Sequence, residues 1–385
     1  MTDKNTGHAP APAEEMAPVN WPAALVLCLT FLAAITVVPW YGFVYGYSAW
    51  AWGFFALLLV LNGISIGSGY HRLWSHRAYE AHPALKVFFA IFGGMAIQNS
   101  ILLWVARHRV HHREVDDEEK DPYSIRRGFW FAHVGWMMRD YPTGEVDLSI
   151  VPDLERDPVV AWQHRWYLPL VLATNFGLPL LLGWLVGDVW GVFLLAGVLR
   201  LVVSHHVTFF INSLAHMWGN QPYTDENSAR DNWFLAVITY GEGYHNYHHM
   251  FQNDYRNGHR LWHFDMNKWF ISICAGLGLA KNLTRAPQFK ILRARLSMEF
   301  KVAREKLEKA QVSESWREQL EREYEQFMDT VREWQQLQME RVQQGRQMLA
   351  RKIENNAITA RYRELERSLK LQHKRVALLA AQVTL

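Results

Sequence analysis

The sequence is poor in cysteine and close to neutral in charge. Its 385 residues include only Cys28 and Cys274, both in apolar stretches, and 40 Lys and Arg are nearly balanced by 37 Asp and Glu. Two cysteines so placed exclude a disulfide framework and the CxxC spacing of a thiolate metal site. The net charge of +3 gives no strongly basic surface, so we expect no nucleic-acid partner.

Motifs for bound redox cofactors are also absent from the sequence. It contains no Gly-rich dinucleotide fingerprint, no cytochrome b5 signature and no CxxxxC iron–sulfur spacing. If the chain performs redox chemistry, its electrons must therefore come from another protein.

Apolar residues, by contrast, are abundant and segregated. Half of the residues are hydrophobic and 14% are aromatic, including 18 Trp. Four stretches approach the roughly 20 apolar residues that a bilayer demands: residues 21–43, 48–68, 167–187 and 189–212. This pattern predicts an integral, multi-pass protein of the lipid bilayer with soluble parts.

The distribution of Lys and Arg predicts the topology. The short connections between the first and second stretches, and between the third and fourth, carry neither residue, whereas residues 70–165 and those after 215 are rich in both. The positive-inside rule then places both termini in the cytoplasm. Residues 1–20 lack the basic start of a signal peptide and are expected to be a disordered leader.

Three histidine clusters lie beside these stretches: HRLWSH at 71–76, HRVHH at 108–112 and HNYHH at 245–249. Neutral imidazole binds iron, copper and zinc. Residues three and four apart share one side of an α-helix, so both HxxHH motifs predict a ligand face. His71 and His76 are five apart and would not share such a face, so we expect them where a membrane helix ends and the chain bends.

Two further features concern the surroundings of this site. The apolar segment 84–104 is predicted to be one helix lying at the cytoplasmic interface, loosened in its middle by Gly93 and Gly94, because another span would separate the first two clusters. His205 and His206 lie within an apolar segment and are expected to be structural or to support the site from outside.

Five phrases between residues 48 and 285 occur in a recognisable order: GYHRLWSHRAYEAHP, DPYSIRRGFWFAHVGW, NSLAHMWG, SARDNWFLAVITYGEGYHNYHHMFQNDYRNG and DMNKWFISICAGLGLAKNL. In this order they resemble the membrane fatty-acid desaturases, specifically the stearoyl-CoA desaturase-like Δ9 group. The resemblance implies an all-α fold, with residues 21–285 forming a four-helix transmembrane bundle and a cytoplasmic helical cap from residues 70–165 and 215–285.

The resemblance also implies a non-haem di-iron centre held by nine histidines and one asparagine acting through water. By motif, these residues are His71, His76, His108, His111, His112, Asn212, His216, His245, His248 and His249.

The reaction that the resemblance implies is the O2-dependent formation of a cis double bond in a saturated acyl chain. No acid, base or nucleophile attacks an unactivated methylene, so the protein would contribute ligation, exclusion of water and positioning. Acyl-CoA is the favoured donor. However, Ala106–Arg107 and Arg139–Asp140 stand where animal enzymes carry Arg-Asp and Arg-Lys pairs, which leaves phospholipid or carrier-protein donors open. The electron donor would be of the ferredoxin, cytochrome b5 or flavin reductase type.

The same resemblance assigns substrate contacts. Trp104 and Thr208 match positions that shape the kink of an acyl tunnel, and Leu59 and Gly63 match positions near its end. For the head group, Gln98 and Asn99 match the two residues that precede the second histidine cluster in the family. Arg126, Arg127 and Arg139 are candidates to bind phosphate as charge-assisted donors.

Residues 286–385 are charged and show apolar residues at three- and four-residue steps, which predicts amphipathic helices. We expect these helices to form a helical hairpin or a coiled coil. Four roles remain open for them: docking on the core, self-association, contact with an electron donor, or a solvated appendage without a catalytic role.

Two other functions also fit the clusters: a histidine-box membrane hydroxylase, and a membrane metal-binding scaffold without turnover. The absence of organelle signals favours a bacterial inner membrane, with the active site in the cytoplasm.

Overall fold

The computed structural model describes residues 17–309, 314–347 and 355–382, so most of the predicted leader lies outside the described residues. The described residues are mostly helical, which confirms the all-α fold class.

A two-stranded antiparallel ribbon pairs β1 (Glu80–Ala81) with β2 (Ala280–Lys281), and Glu80 lies opposite Lys281. In chain order the α-helices are α1 (Trp21–Val44), α2 (Ala49–Ile64), α3 (Pro83–Gly94), α4 (Ile101–Glu114), α5 (Trp136–Met138), α6 (Pro152–Glu155), α7 (Pro158–Arg165), α8 (Tyr167–Leu172), α9 (Leu178–Val186), α10 (Val189–Val192), α11 (Arg200–Asn212), α12 (Trp233–Ile238), α13 (His245–Met250), α14 (Met266–Gly276), α15 (Gln288–Lys309), α16 (Glu314–Gln347) and α17 (Asn355–Gln382).

Four helical stretches are long and apolar enough to cross a membrane. They are Trp21–Val44, Ala49–Ser75, Tyr167–Val186 and Val189–His216. The second and fourth extend beyond the predicted bounds, and three of the four contain π-helical segments, in which each N–H bonds to the carbonyl five residues earlier. These segments are Ser65–Ser75, Ala173–Gly177 and Phe193–Leu199.

The first of two structural units contains the residues up to Leu59 and Met95–Asn212. Within it, Arg200 is completely buried in the fourth stretch. A charge there is costly unless it is paired or hydrogen-bonded. The guanidinium donates to the Met95 carbonyl at 3.0 Å, to the Ala196 carbonyl at 3.1 Å and to Asn175 Oδ1 at 2.5 Å, so its nitrogens are engaged.

The second unit contains Val60–Gly94 and the residues from Ser213 onward. Here α3 packs against the π-helix Ser65–Ser75 through small residues. A Cβ on Gly69 would lie 2.7 Å from the Phe89 side chain, and one on Gly93 would lie 2.4 Å from the Tyr70 ring. Glycine is thus required at both positions for this close approach.

The prediction of one helix over residues 84–104 is wrong. Helix α3 ends at Gly94 and α4 starts at Ile101. Between them Ile97 (φ 51°) and Asn99 (φ 78°) adopt left-handed backbone conformations, which a right-handed helix cannot include. At 12 residues, or about 18 Å, α3 is too short to cross a hydrocarbon core of roughly 30 Å.

The C-terminal helices α15, α16 and α17 share one apolar core in the second unit. Phe289 of α15 stacks on Trp334 of α16 with ring centroids 4.2 Å apart, and Leu369 of α17 is completely buried in the same cluster. Helix α15 also packs onto the rest of the unit, because Ile291 and Ala294 contact the cluster of Tyr223 and Tyr247.

Candidate metal centre

The first histidine cluster is built by the π-helix Ser65–Ser75. His71 lies within it, His76 follows it, and the His76 N–H donates to the His71 carbonyl at 3.1 Å. A π-turn brings residues five apart onto one side, so the two rings lie 4.8 Å apart between centroids. The expectation that residues five apart would not share a helical face was therefore wrong, because it assumed an α-helix. The expectation that the pair lies where a membrane helix ends is confirmed, since the second long apolar helix ends at Ser75.

One group of imidazoles in the second unit consists of His71, His76 and His248. Their candidate ligand nitrogens lie within 4.8 Å of one another, and all three residues are buried. His71 Nε2 lies 2.9 Å from His248 Nε2, and the His248 ring centroid is 4.5 Å from that of His76. Two imidazole nitrogens this close need a proton or a cation between or beside them.

A second group in this unit consists of His216, His245 and His249, again all buried. His245 and His249 lie one turn apart on α13, and His216 ends the 3₁₀ turn Leu214–His216. His245 Nε2 lies 3.1 Å from His216 Nε2 and 3.1 Å from His249 Nε2. The unit thus presents two sets of three converging imidazoles.

The remaining clustered histidines lie on α4 in the first unit. His108 and His112 are one turn apart with ring centroids at 4.6 Å, whereas the His111 ring is 6.1 Å from that of His108. The predicted helical spacing of both HxxHH motifs is confirmed, since α4 and α13 carry them. The histidines of α4 nevertheless divide into a close pair and a ring turned away from it.

Several of these imidazoles have their outer nitrogen, Nδ1, bonded to a neighbour. Such a bond fixes the ring and its tautomer and leaves Nε2 to bind a metal, which is the arrangement typical of metal-ligating histidines. The pairs are His71 with Glu242 at 2.9 Å, His111 with Asp121 at 2.9 Å, His216 with Ser228 Oγ at 2.8 Å and His108 with Tyr123 Oη at 3.2 Å.

Glu242 is the centre of a buried ionic network behind the first group. Its Oε1 accepts from Arg72 at 2.8 Å, and Arg72 also lies 3.0 Å from Asp265. Burial alone would raise the pKa of the Glu242 carboxyl, but the charge of Arg72 and the contact with His71 outweigh it and lower the pKa to about 2. The carboxylate is therefore ionised and able to orient His71.

Sequence reasoning missed these carboxylates. Glu242 stands three residues before His245 in YGEGYH, and Asp121 stands in DPYS, ten residues after His111. An acidic residue near a histidine cluster was the available signal, but sequence spacing alone does not show which carboxylates face the rings.

The two histidines expected to be structural or to support the site from outside are bonded within the first unit. His205 bonds through Nε2 to the Ala96 carbonyl at 2.7 Å, and His206 Nδ1 lies 3.0 Å from His133 Nε2. Burial and the nearby His206 ring lower the pKa of His133 to about 4, so it is neutral at physiological pH. Asn212, expected to act through water, is the last residue of α11.

Three of the predicted substrate residues come together in the first unit. The Trp104 indole N–H donates to Gln98 Oε1 at 3.3 Å, and Gln98 Nε2 donates to Thr208 Oγ1 at 3.0 Å. The 95–99 loop that carries Gln98 is held by Arg200 and His205, which bond to the carbonyls of Met95 and Ala96. The Asn99 backbone N–H donates to the Tyr167 hydroxyl at 3.0 Å.

Leu59 and Gly63 lie one turn apart on α2. Leu59 is partly buried. A Cβ on Gly63 would lie only 2.2 Å from the Tyr240 ring, so within the second unit this glycine allows Tyr240 to pack directly on the helix. A larger residue at position 63 would displace that ring.

The three predicted phosphate donors already have protein contacts. Arg127 lies over the rings of Phe131 and Tyr141, at 3.8 Å and 4.6 Å from their centroids. Arg139 donates to the Ala17 carbonyl at 2.7 Å. For Arg126 the contact is through the backbone, whose N–H donates to Ser124 Oγ at 3.4 Å in the short turn Ile125–Arg127. Their role toward a head group stays a prediction.

Comparison with known proteins identifies the family. A family model described as fatty acid desaturase matches residues 47–266, more than half of the chain. The chain is 48% identical over 242 residues to a probable acyl-CoA desaturase of Schizosaccharomyces pombe, covering 63% of this chain and 50% of that protein. It is 41% identical over 257 residues to acyl-CoA desaturase 1 of Saccharomyces cerevisiae (66% and 49%) and 40% identical over 241 residues to stearoyl-CoA desaturase 5 of Bos taurus (61% and 71%).

The chain spans about half the length of the two yeast relatives. Its four apolar helices, together with these relatives, make it an integral membrane protein. The matched segment contains all three histidine clusters. The chain therefore belongs to the fatty acid desaturase family, in its stearoyl-CoA desaturase-like group.

Proposed function

We propose that this protein is an O2-dependent desaturase that introduces a cis double bond, at the Δ9 position, into a saturated fatty acyl chain, with acyl-CoA as the favoured donor. The observation that carries the proposal is the pair of buried imidazole groups, whose ring nitrogens converge. The relatives named acyl-CoA and stearoyl-CoA desaturases support the reaction and the donor.

The donor set fits iron, because neutral imidazoles bind it and carboxylates stand behind them. When bound, two irons would supply, with O2, the oxidising power that side chains lack. We propose that the nine predicted histidines hold two irons, with Asn212 acting through water, and that the first and second groups of the second unit each supply three of these imidazoles. The nine histidines are His71, His76, His108, His111, His112, His216, His245, His248 and His249.

The chain's own residues orient the centre and the acyl chain. Glu242 and Asp121 fix His71 and His111, and burial of the rings keeps water away from them. The hydrogen-bonded set of Trp104, Gln98 and Thr208 would shape the path of the acyl chain, since it joins α4 to α11 across a short loop. Electrons come from a separate donor protein.

We also propose that both termini and the metal centre lie on the cytoplasmic side, from the distribution of Lys and Arg. The relatives named above are eukaryotic, so they lend the predicted bacterial inner membrane no support. Self-association through the C-terminal helices stays a prediction, and exposed Met339, Leu371 and Leu378 provide apolar surface for it.

The test is gas chromatography and mass spectrometry of derivatised fatty acids from cells that express the chain together with an electron donor. We expect new monoenes with the bond between carbons 9 and 10. Hydroxy acids instead would make the protein a hydroxylase, and unchanged lipids with folded, iron-loaded protein and a working donor would make it a non-catalytic metal-binding protein.

Leu59→Ala is expected to lengthen the acyl chains that the enzyme accepts, because Leu59 is the proposed stop at the tunnel end. One methylene in an apolar pocket is worth about 1–3 kcal/mol, so the relative rate for a chain two carbons longer should rise at least about tenfold. Competition between saturated acyl-CoA substrates of different lengths measures this. Leu57→Ala, on an exposed part of the same helix, is the control; equal product spectra for both variants would remove Leu59 from the tunnel.

A further inference from the structure

A short loop in the second unit exposes two large apolar side chains. In the 259–263 loop (His259–His263, HRLWH), Leu261 is 92% exposed and Trp262 is 75% exposed. A rigid loop that presents an aromatic and an aliphatic side chain to its surroundings has the character of a contact surface.

The loop is held in one conformation by a buried lysine. Lys268 Nζ donates to the carbonyls of Gly258 at 2.8 Å, Arg260 at 2.9 Å and His263 at 3.0 Å. All three hydrogens of the ammonium are used on the loop backbone. The exposed tip is therefore preorganised, which lowers the entropy cost of binding a partner.

The inner side of the loop stacks on residues next to the metal-binding groups. His263 stacks on Tyr244 with centroids 4.4 Å apart and planes at 12°, and His259 stacks on Tyr247 at 4.7 Å and 12°. Trp262 meets His263 edge-on at 6.2 Å. Tyr244 directly precedes His245 and Tyr247 directly precedes His248, so the loop contacts the neighbours of one ligand from each group.

The charge around the tip is positive. The Arg260 guanidinium lies 5.5 Å from the Trp262 ring centroid, and Arg285 lies 5.4 Å from the Tyr255 ring centroid. Arg256 is paired with Asp254 at 2.9 Å and therefore adds no net charge. Burial and the nearby arginine lower the pKa of His263 to about 4, so its ring is neutral and the arginines set the sign of the surface. This surface complements an acidic partner.

We propose that the 259–263 loop is the docking site for an acidic, soluble one-electron carrier. The inference rests on the proposed function. Each encounter oxidises one carrier by one electron and reduces one iron from ferric to ferrous, and two encounters serve one double bond. The rate of electron transfer falls steeply with distance. A carrier bound at Trp262 would be close to the rings of His263 and Tyr244, which lead from the loop toward His245. An anionic lipid surface would also attract the tip, but it would make no use of the stacked rings behind it.

The test compares Trp262→Ala and Arg260→Glu with the wild type, using the full chain loaded with iron in zwitterionic nanodiscs. Trp233→Ala is the matched control, since Trp233 is 72% exposed on α12. The probes are the soluble haem domain of cytochrome b5 and a plant-type ferredoxin. Binding is measured by surface plasmon resonance, and iron reduction is measured by stopped flow with each reduced probe and, separately, with dithionite.

We expect at least one probe to bind the wild type and the control. Both loop variants should weaken that binding at least about tenfold and slow reduction by that probe similarly, while reduction by dithionite stays unchanged. Higher salt should shrink the effect of Arg260→Glu, because charge contacts at a surface are screened.

Three results would overturn the proposal: no binding of either probe to the wild type, loop variants that behave like the control, or a loop effect that appears only in nanodiscs with anionic lipid. The proposed function fails separately. If the wild type accepts electrons from the carrier through the loop but forms no olefin from acyl-CoA, the docking site stands and the desaturase assignment does not.

Discussion

His111→Ala is expected to reduce olefin formation below detection while the protein remains in the membrane. His111 is 3% exposed, and Asp121 holds its Nδ1 at 2.9 Å so that Nε2 is available to a metal. In the proposed centre it is one of the nine histidine ligands, and its ring lies 6.1 Å from that of His108 on the same helix. Product analysis by mass spectrometry and iron content per protein measure the effect, and both should fall.

The matched control is His82→Ala. His82 is exposed, and its Nδ1 accepts the Ala84 N–H at 3.2 Å, a local bond at the start of α3. This variant should keep wild-type product and iron. Turnover by His111→Ala equal to that of His82→Ala would remove His111 from the ligand set.

Glu242→Gln is expected to have the second largest effect, on stability as well as on iron. The change leaves Arg72, which is 1% exposed, with Asp265 as its carboxylate contact and deprives His71 of its charged partner. Breaking a buried ion pair on one side costs about 3–5 kcal/mol. Losing the carboxylate behind a ligating histidine lowers metal affinity about 10–100-fold. Thermal unfolding in detergent and titration with ferrous iron measure the two effects separately.

Asp121→Asn separates the two causes. Asp121 fixes His111, and its other contacts are the backbone N–H groups of Asp116 and Tyr123, with no arginine among them. This variant should lose iron affinity to a similar degree and lose less stability than Glu242→Gln. If both variants unfold at the same temperature, the stabilising role of the Glu242–Arg72 pair is wrong.

The parts that could be predicted from sequence follow local rules. Apolar length indicated four stretches close to the four long helices, and the spacing of three and four residues in HRVHH and HNYHH indicated that their histidines share helical turns. The all-α class followed from the same patterns together with the resemblance. These features depend on residues near each other in sequence, so periodicity reports them.

The missed features depend on contacts between distant segments or on rarer backbone geometry. Glu242 meets His71 across 171 positions of sequence, and nothing in YGEGYH specifies that partner. The break between α3 and α4 needs left-handed conformations at Ile97 and Asn99, two residues for which such backbone is not the default. Gln98, Trp104 and Thr208 were predicted as substrate contacts by resemblance, but the hydrogen bonds that join them were not predicted.

Because of the π-helix Ser65–Ser75, the geometry of the first histidine pair depends on the number of residues between the two histidines, which composition does not reveal. Its eleven residues keep His71 and His76 on the same side only while five steps separate them. A substitution between the two histidines leaves that count unchanged, whereas an insertion or deletion of one residue turns every later side chain to a different side. Relatives of this chain should therefore keep the number of residues between these two histidines constant.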